Sequence, residues 1–439
     1  MIFKSCARHE LRELIMRKIL FFIVAAVILC ACNNSRSSST NDRGGGCTRP
    51  QKDIIINIVP NESTTPFIKP TINVYLETSA SMDGYVKGNA TDFKQAIFNY
   101  LVDIQSQKVT DSLNLFFITN KPMALGSNID ADFYKRLNPK SFIEIAQKNG
   151  AKRSDTDIAL VLEMVLKKTN KNDISIMITD GIISPGPGKN ATEYLDKQEA
   201  LIKKLIFELL DKNDNAAIIV YQLSSQFDGM YYNNVDKPIS YKGERPFYIW
   251  IIGDTKHISS LRDKVPDNKF KGSGIQNVFT SIAGNRTVEY TLNQNIGNVI
   301  ISRTNQKTDI DKLKKDRNGK VRFAVNVDFS DLQQDDVYLH NPDNYETNSK
   351  YELEEIKPYR GSKYTHTLFF TSSDGKIYKG AVSVKLKTTL PQWIEEVNDD
   401  DGVKAVHGKT YGIKYQLGGI FDAFTFTNNY YTEIKININ

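Results

Sequence analysis

The feature that most limits the possible folds of this chain is a regular alternation of short apolar segments with longer amphipathic ones. The short segments are rich in β-branched and aromatic residues, which predicts buried strands at 71–76, 112–119, 173–179, 216–223 and 246–252. Apolar residues at helical spacing predict helices at 91–107, 142–147, 157–168, 193–212 and 255–264. The segment between 223 and 246 is expected to be an irregular, Tyr-rich insertion. Apolar strands that alternate with helices favour a doubly wound, mainly parallel α/β sheet for residues 52–270.

The pattern changes near Asn285, after which short β-rich segments follow one another. They lie at 287–292, 298–302, 321–329, 351–356, 364–371 and 380–387. Asp374-Gly375 is a typical hairpin turn between the last two. We therefore expect residues 285–439 to form an immunoglobulin-like β-sandwich. A helix at 409–424 and a strand at 430–439 complete it, and the strand could join either the sandwich or the first domain. The polar segment 308–320 is expected to be a loop.

The amino-terminal residues are typical of a bacterial lipoprotein signal. A basic start at Met16-Arg17-Lys18 precedes an apolar segment, 19–29, that is too short to span a bilayer as a helix. Leu29-Cys30-Ala31-Cys32 matches the lipobox pattern, so residues 1–31 are predicted to be removed as a signal peptide and Cys32 to be the lipidated residue. Translation is expected to start at Met16. Residues 32–51 would be a flexible tether. The alternative is an uncleaved membrane anchor.

The predicted location is the cell envelope, where the lipid would hold the protein in the outer membrane, facing the periplasm or the surface. All four cysteines precede residue 50, which excludes disulfides and cysteine-ligated metals from the folded part. The net charge of +6 includes +3 from residues 1–31, so the remainder gives no reason to expect nucleic-acid binding. The histidines at 257, 340, 366 and 407 show no ligand spacing, and nucleophile-elbow and P-loop motifs are absent from the sequence.

Candidate site residues follow the first and third predicted strands. Glu77, Ser79 and Ser81 occupy alternate positions where the first strand ends, and Asp180 ends the third strand in Thr179-Asp180-Gly181. Thr156 lies in a loop before a helix, between the second and third strands. Open α/β sheets place their ligands at the carboxyl ends of strands, so these oxygens are expected to converge.

This arrangement resembles the metal-ion-dependent adhesion site of von Willebrand factor A domains, whose pattern is Asp-x-Ser-x-Ser with a later Thr and a later Asp. The chain departs from it by having Glu77 in place of the first Asp. The resemblance implies a divalent cation, Mg²⁺ or Mn²⁺, held by Glu77, Ser79, Ser81, Thr156 and Asp180. It also implies a protein partner whose acidic group completes the coordination shell.

Other interpretations of the same residues remain open. Ser-x-Ser is common turn chemistry, Thr156 is a good helix cap, and Asp180-Gly181 is an ordinary turn. Glu77, with one more methylene than Asp, either displaces a water molecule or excludes the metal and leaves a hydrogen-bonded cluster. Three functions follow: a non-enzymatic binding or adhesion module, a structural assembly subunit with a vestigial site, and a metal-dependent hydrolase. The hydrolase would need a general base, for which Asp83, Asp155 and Asp157 are the candidates.

Overall fold

The computed structural model describes residues 67–88, 91–154, 157–183, 185–186 and 188–439. The chain from Pro66 to Asn439 forms one compact unit. The predicted signal peptide, Cys32 and the tether lie outside the described residues, as do Asp155 and Thr156. Within the described ranges, every helix is too short or too polar to cross a membrane.

The first part of the described chain alternates strands and helices, as the sequence predicts. Its elements are β1 (Thr71–Glu77), α1 (Asp83–Val86), α2 (Asp92–Ser106), β2 (Ser112–Ile118), β3 (Pro122–Gly126), α3 (Ala131–Arg136), α4 (Pro139–Lys148), α5 (Ile158–Lys168), β4 (Asp173–Thr179), α6 (Ala191–Lys212), β5 (Ala216–Tyr232), β6 (Pro238–Asp254), α7 (Thr255–Lys264) and β7 (Ile275–Ile282). Side-chain caps start the helices where the sequence offers them: Thr91 accepts from Lys94 N before α2, and Asp157 accepts from Leu160 N before α5.

These seven strands form a mixed sheet in the order β3-β2-β1-β4-β6-β5-β7. Strand β1 runs parallel to β2 and β4, with Val74 opposite both Leu115 and Ile176. The other four neighbouring pairs are antiparallel. The α/β class is confirmed, but parallel pairing is limited to β2, β1 and β4.

The long hairpin of β5 and β6 accounts for much of that difference. Each strand has 17 residues, and they pair along their whole length from Ala216↔Asp254 to Tyr232↔Pro238. Strands joined by so short a connection must be antiparallel. The hairpin includes the segment 224–245 that the sequence predicts to be an irregular insertion.

Both faces of the sheet are buried, as expected for an α/β layer structure. Successive residues of β1 point to opposite faces, so Val74 and Leu76 join one buried core and Tyr75 joins another. Trp250 of β6 lies in the same core as Tyr75 and is fully buried. The site at the end of β1 is therefore held by a rigid, close-packed support.

The second part of the chain is β-rich, as predicted. It contains β8 (Tyr290–Leu292), β9 (Asn298–Ile301), β10 (Asp309–Lys314), β11 (Arg322–Val327), α8 (Asp336–Leu339), β12 (Tyr345–Thr347), β13 (Tyr351–Pro358), β14 (His366–Ser372), β15 (Gly380–Lys387), α9 (Trp393–Val397), β16 (Asn398–Asp399), β17 (Thr410–Tyr411), α10 (Ile413–Thr425) and β18 (Tyr430–Ile438). One sheet has the order β12-β15-β18-β10-β9 and another β13-β14-β11-β8. Strand β10 occupies part of the predicted loop 308–320. Strand β18 lies between β15 and β10, so the strand that sequence left unassigned joins the β-rich part.

Helix α10 packs against α6 of the α/β part. Gly418 and Gly419 allow this close approach, because a Cβ on either would come within 2.6 Å of an atom of Glu199 in α6. The apolar side chains of α10, among them Leu417 and Ile420, complete the core that contains Trp250. One face of the sheet is therefore covered by residues from far along the chain.

Candidate functional site

Four of the five predicted site residues meet at the carboxyl edge of the central parallel strands. Glu77 is the last residue of β1, and Asp180 directly follows β4, its parallel neighbour. Ser79 and Ser81 lie in the turn after β1, where a single 3₁₀ turn spans Ala80–Met82. The position of the fifth residue, Thr156, is not described.

Hydroxyl groups connect the β1 side of this cluster. The Oγ atoms of Ser79 and Ser81 are 2.9 Å apart and share a hydrogen bond. The Thr179 hydroxyl donates a short hydrogen bond to Glu77 Oε2. Thr179 Oγ1 also accepts from Gly181 N at 2.9 Å, which fixes the direction of the Thr179 donor. Glu77 is thus tied to β4 as well as to its own strand.

The Asp180 carboxylate is only partly satisfied. Its Oδ1 accepts from Ile182 N at 3.1 Å. Its Oδ2 is buried and has no hydrogen-bond partner among the described residues. Burying a carboxylate oxygen without a partner costs free energy, so such an atom is usually paired with a cation, a water molecule or a hydrogen-bond donor.

Burial disfavours the charged form of both carboxyl groups and so raises the pKa of each. Desolvation, followed by the nearby charge of Asp180, raises the pKa of Glu77 to about 7, although hydrogen bonds from Thr179 and Ser79 oppose the rise. Burial also raises the pKa of Asp180, whereas the positive charge of Arg245 lowers it. The cluster is therefore a buried acidic pair that a positive charge would stabilise.

The turn that carries Ser79 and Ser81 is fixed by Arg153. Its Nε donates to Thr78 O at 2.8 Å, and its Nη2 donates to Ser79 O at 3.1 Å. The guanidinium also forms an ion pair with Asp83. Sequence analysis did not identify Arg153 as a site residue, because its partners are backbone atoms about seventy positions away.

A second arginine lies buried beside the acidic pair. Arg245, on β6, is 1% exposed, and its guanidinium lies 4.7 Å from the ring centroid of Tyr231 and 5.5 Å from that of Phe227. Its Nε and Nη1 have no hydrogen-bond partner among the described residues. Sequence reasoning missed Arg245 because it lies in the hairpin that was expected to be irregular.

Residues near α10 cover the cluster from one side. Tyr248 donates to Thr410 Oγ1 at 3.0 Å, and Gln416 Nε2 donates to Gly181 O at 2.5 Å. Glu77 is 3% exposed and Asp180 2%, and Ser79 is also buried. Ser81 alone of the four is partly exposed, so access from solvent would be on its side.

The oxygen set fits a hard divalent cation. Metal–oxygen bonds of about 2.1 Å place neighbouring ligands of an octahedral ion about 3 Å apart, and the Ser79–Ser81 separation is 2.9 Å. Asp180 Oδ2 supplies a further oxygen that lacks a partner among the described residues. Ser79, Ser81 and Asp180 would hold the ion, with Glu77 acting through the hydroxyls or through water. The ion would add positive charge next to the two buried carboxyl groups.

Two of the three candidate general bases, Asp83 and Asp157, hold other partners, and the third, Asp155, lies outside the described residues. Asp83 is paired with Arg153. Asp157 caps α5 and accepts hydrogen bonds from Tyr194 and Gln198, both at 3.0 Å. Both carboxylates are therefore oriented by protein groups, and no contact among the described residues places either of them against the Glu77–Ser79–Ser81–Asp180 cluster.

The fold also brings together histidines that look scattered in the sequence. The rings of His340 and His366 lie 5.0 Å apart, and Asp336 is beside them. The spacing of four between Asp336 and His340 was a signal that sequence analysis could have used. No sequence pattern linked His366 to them.

Comparisons with known protein families, with curated proteins and with solved structures found no match for this chain.

Proposed function

We propose that this protein is a non-enzymatic protein-binding or adhesion module whose binding site is the Glu77–Ser79–Ser81–Asp180 cluster. The observation that carries the proposal is that the Ser79 and Ser81 hydroxyls, 2.9 Å apart, lie at the edge of parallel strands beside Asp180, whose Oδ2 has no hydrogen-bond partner among the described residues. A divalent cation, Mg²⁺ or Mn²⁺, would bind these oxygens, and an acidic group of a partner protein would take a remaining position. The finer fold assignment, a von Willebrand factor A-like domain followed by an immunoglobulin-like sandwich, belongs to the same proposal.

The location of the protein is part of the proposal and rests on sequence. Cys32 would carry a lipid that holds the protein in the cell envelope, and residues 32–51 would separate the folded part from the membrane. A lipid-anchored binding module would reach partners near the same membrane or outside it.

A structural role is the second candidate, and Arg245 favours it. A buried guanidinium next to Asp180 supplies positive charge without a metal. The contact of Tyr248 with Thr410 covers the cluster further. In this structural role the cluster would only join β1 to β4, through the hydrogen bond from Thr179 to Glu77. The hydrolase alternative has no such observation in its favour, since Asp83 is paired with Arg153 and Asp157 caps α5.

Calorimetric titration of Mg²⁺ and Mn²⁺ into the full-length protein separates these candidates. Saturable Mg²⁺ binding by the wild type that is lost in Asp180→Asn is expected, because that variant removes the charge of the Asp180 carboxylate. Asp214→Asn is the matched control, since Asp214 is exposed and far along the chain from the cluster. Absence of binding with either metal would refute the metal-dependent function and leave the structural role.

A further inference from the structure

A second group of metal-ligand side chains lies in the β-rich part. Asp336 begins α8, His340 directly follows its end, and His366 begins β14. One ligand atom from each residue can be chosen so that all three lie within 4.8 Å of one another. His366 Nε2 is 3.8 Å from Asp336 Oδ1.

The hydrogen bond of His340 determines which ring nitrogen is free. Its Nδ1 lies 2.7 Å from the backbone oxygen of Asp336. A carbonyl oxygen only accepts, so Nδ1 carries the proton and donates. The lone pair of the neutral ring is then on Nε2, which is the atom available to a metal.

His366 is oriented in the same way through Thr365. Its Nδ1 lies 2.8 Å from Thr365 Oγ1, and that hydroxyl donates to Val327 O at 3.3 Å. In the tautomer in which the hydroxyl donates to Val327 O, Thr365 accepts from His366 Nδ1–H. Nε2 again keeps the lone pair, and it is the nitrogen that lies 3.8 Å from Asp336 Oδ1. Metal-binding histidines commonly donate their second nitrogen to an oxygen in this way.

We propose that Asp336, His340 and His366 bind a divalent transition-metal cation of the zinc class through one carboxylate oxygen and two imidazole Nε2 atoms. Two imidazoles and a carboxylate suit such ions, whereas Mg²⁺ and Ca²⁺ prefer shells made of oxygen alone. This site is separate from the proposed Mg²⁺ site in ligand chemistry and in its part of the fold.

The surroundings leave room for a fourth ligand. His366 is buried, whereas the Asp336 side chain is 85% exposed, so an ion would sit at the surface end of the histidine pair. Asp336 and His366 line a cavity of about 690 Å³ whose other wall includes Arg262 and Asp267 near the end of α7. Three protein ligands with an open position is the arrangement of reactive zinc sites, in which water or an incoming anionic or carbonyl group binds the ion.

Metal titration of the full-length protein tests the site. The protein is stripped with a chelator, its cysteine thiols are alkylated so that they cannot bind metal, and Zn²⁺ is added in excess Mg²⁺. Co²⁺ then serves as a visible probe, because its d–d absorption reports nitrogen ligands. One saturable Zn²⁺ site is expected in the wild type and in Asp180→Asn.

Matched variants assign the ligands. His340→Gln and Asp336→Asn should each weaken Zn²⁺ binding by more than about 100-fold, since the loss of a ligand exceeds the 10- to 100-fold cost of an outer partner. His407→Gln is the control, because His407 is an exposed histidine outside the cluster. Thr365→Val leaves all three ligands in place but removes the hydroxyl that accepts from His366 Nδ1–H and from Phe329 N, so it should weaken binding by about 10- to 100-fold.

Three results would overturn the assignment. They are no Zn²⁺ binding by the wild type, binding unchanged in both His340→Gln and Asp336→Asn, or the same loss in His407→Gln. Thermal unfolding of each apo variant, expected to match the wild type for the exposed Asp336, separates ligand loss from misfolding.

Discussion

Adjacent glycines of α10 allow a sharp test of how that helix is packed. An added Cβ at Gly419 would lie 2.6 Å from the backbone oxygen of Glu199 in α6 and 3.3 Å from the side chain of Ile202. At Gly418 the Cβ would lie 2.6 Å from Oε1 of Glu199, the far end of a flexible side chain. We therefore expect Gly419→Ala to destabilise the protein and Gly418→Ala to be neutral or stabilising.

The magnitude follows from two opposed terms. Alanine is preferred over glycine inside a helix by about 1 kcal/mol, and both variants gain it. Overpacking against a fixed group costs about 1–3 kcal/mol, and only Gly419→Ala meets one. Gly418→Ala should therefore gain up to about 1 kcal/mol, and the two variants should differ by about 1–3 kcal/mol. The helix-propensity term cancels in that difference.

Urea unfolding followed by tryptophan fluorescence measures both free energies of unfolding in one experiment. Trp250 lies in the same core as α10, so its emission reports the relevant packing. Equal changes in the free energy of unfolding for the two substitutions would refute the reasoning. That result would show that α6 and α10 are not held as close together as in the structure.

Two further predictions concern the acidic pair in metal-free buffer. The pKa of Glu77 is raised from 4.5 to about 7, so its contribution to stability is present below pH 4.5 and lost as pH rises to 7. Each pKa unit is worth about 1.4 kcal/mol. The free energy of unfolding of Glu77→Gln, measured in urea at pH 8, should therefore exceed that of the wild type by up to about 3 kcal/mol. At pH 4 it should match the wild type, and a gap that does not depend on pH would contradict the assignment. Arg245→Met should cost about 3 kcal/mol at pH 7, because it leaves the buried charge of Asp180 uncompensated. The cost should shrink as pH is lowered, because burial raises the pKa of Asp180 and its charge is lost as pH falls, and a cost in thermal unfolding that does not depend on pH would show that only packing was lost.

The sequence predicts those parts of the fold in which local pattern decides the structure. The strand expected at 173–179 is observed as Asp173–Thr179, and the helix expected at 255–264 as Thr255–Lys264. These segments carry one strong periodicity and sit between polar turns. Strand β7 was missed because only its second half is buried, so polar residues interrupt its apolar pattern.

The long hairpin was missed for a related reason. Its outer half alternates exposed polar residues with half-buried ones, and the turn at 233–237 lacks a typical Asn-Gly or Asp-Gly signal. Pairing with β5 makes that half a strand, and pairing is not visible in local composition.

Some residues of the candidate site could be predicted from the local sequence, and others could not. Glu77, Ser79, Ser81 and Asp180 could be predicted because strand ends in an α/β sheet have a known common edge. Arg245 could not, since a distant hairpin places it there. The cover by Thr410 and Gln416 depends on contacts across 162 and 235 positions, which one sequence without homologues does not indicate.

The packing of α10 on α6 also has a consequence for synthesis on the ribosome. The apolar side of α6, which includes Leu195 and Ile202, is complete long before residues 413–425 are made. Until then this face has no helical partner in α10, although every strand of the α/β sheet has been translated. Contacts of such long sequence separation form slowly, and exposed apolar surface promotes aggregation. Shortening the β-rich part would therefore leave this face of α6 uncovered and endanger the folding of the part made first.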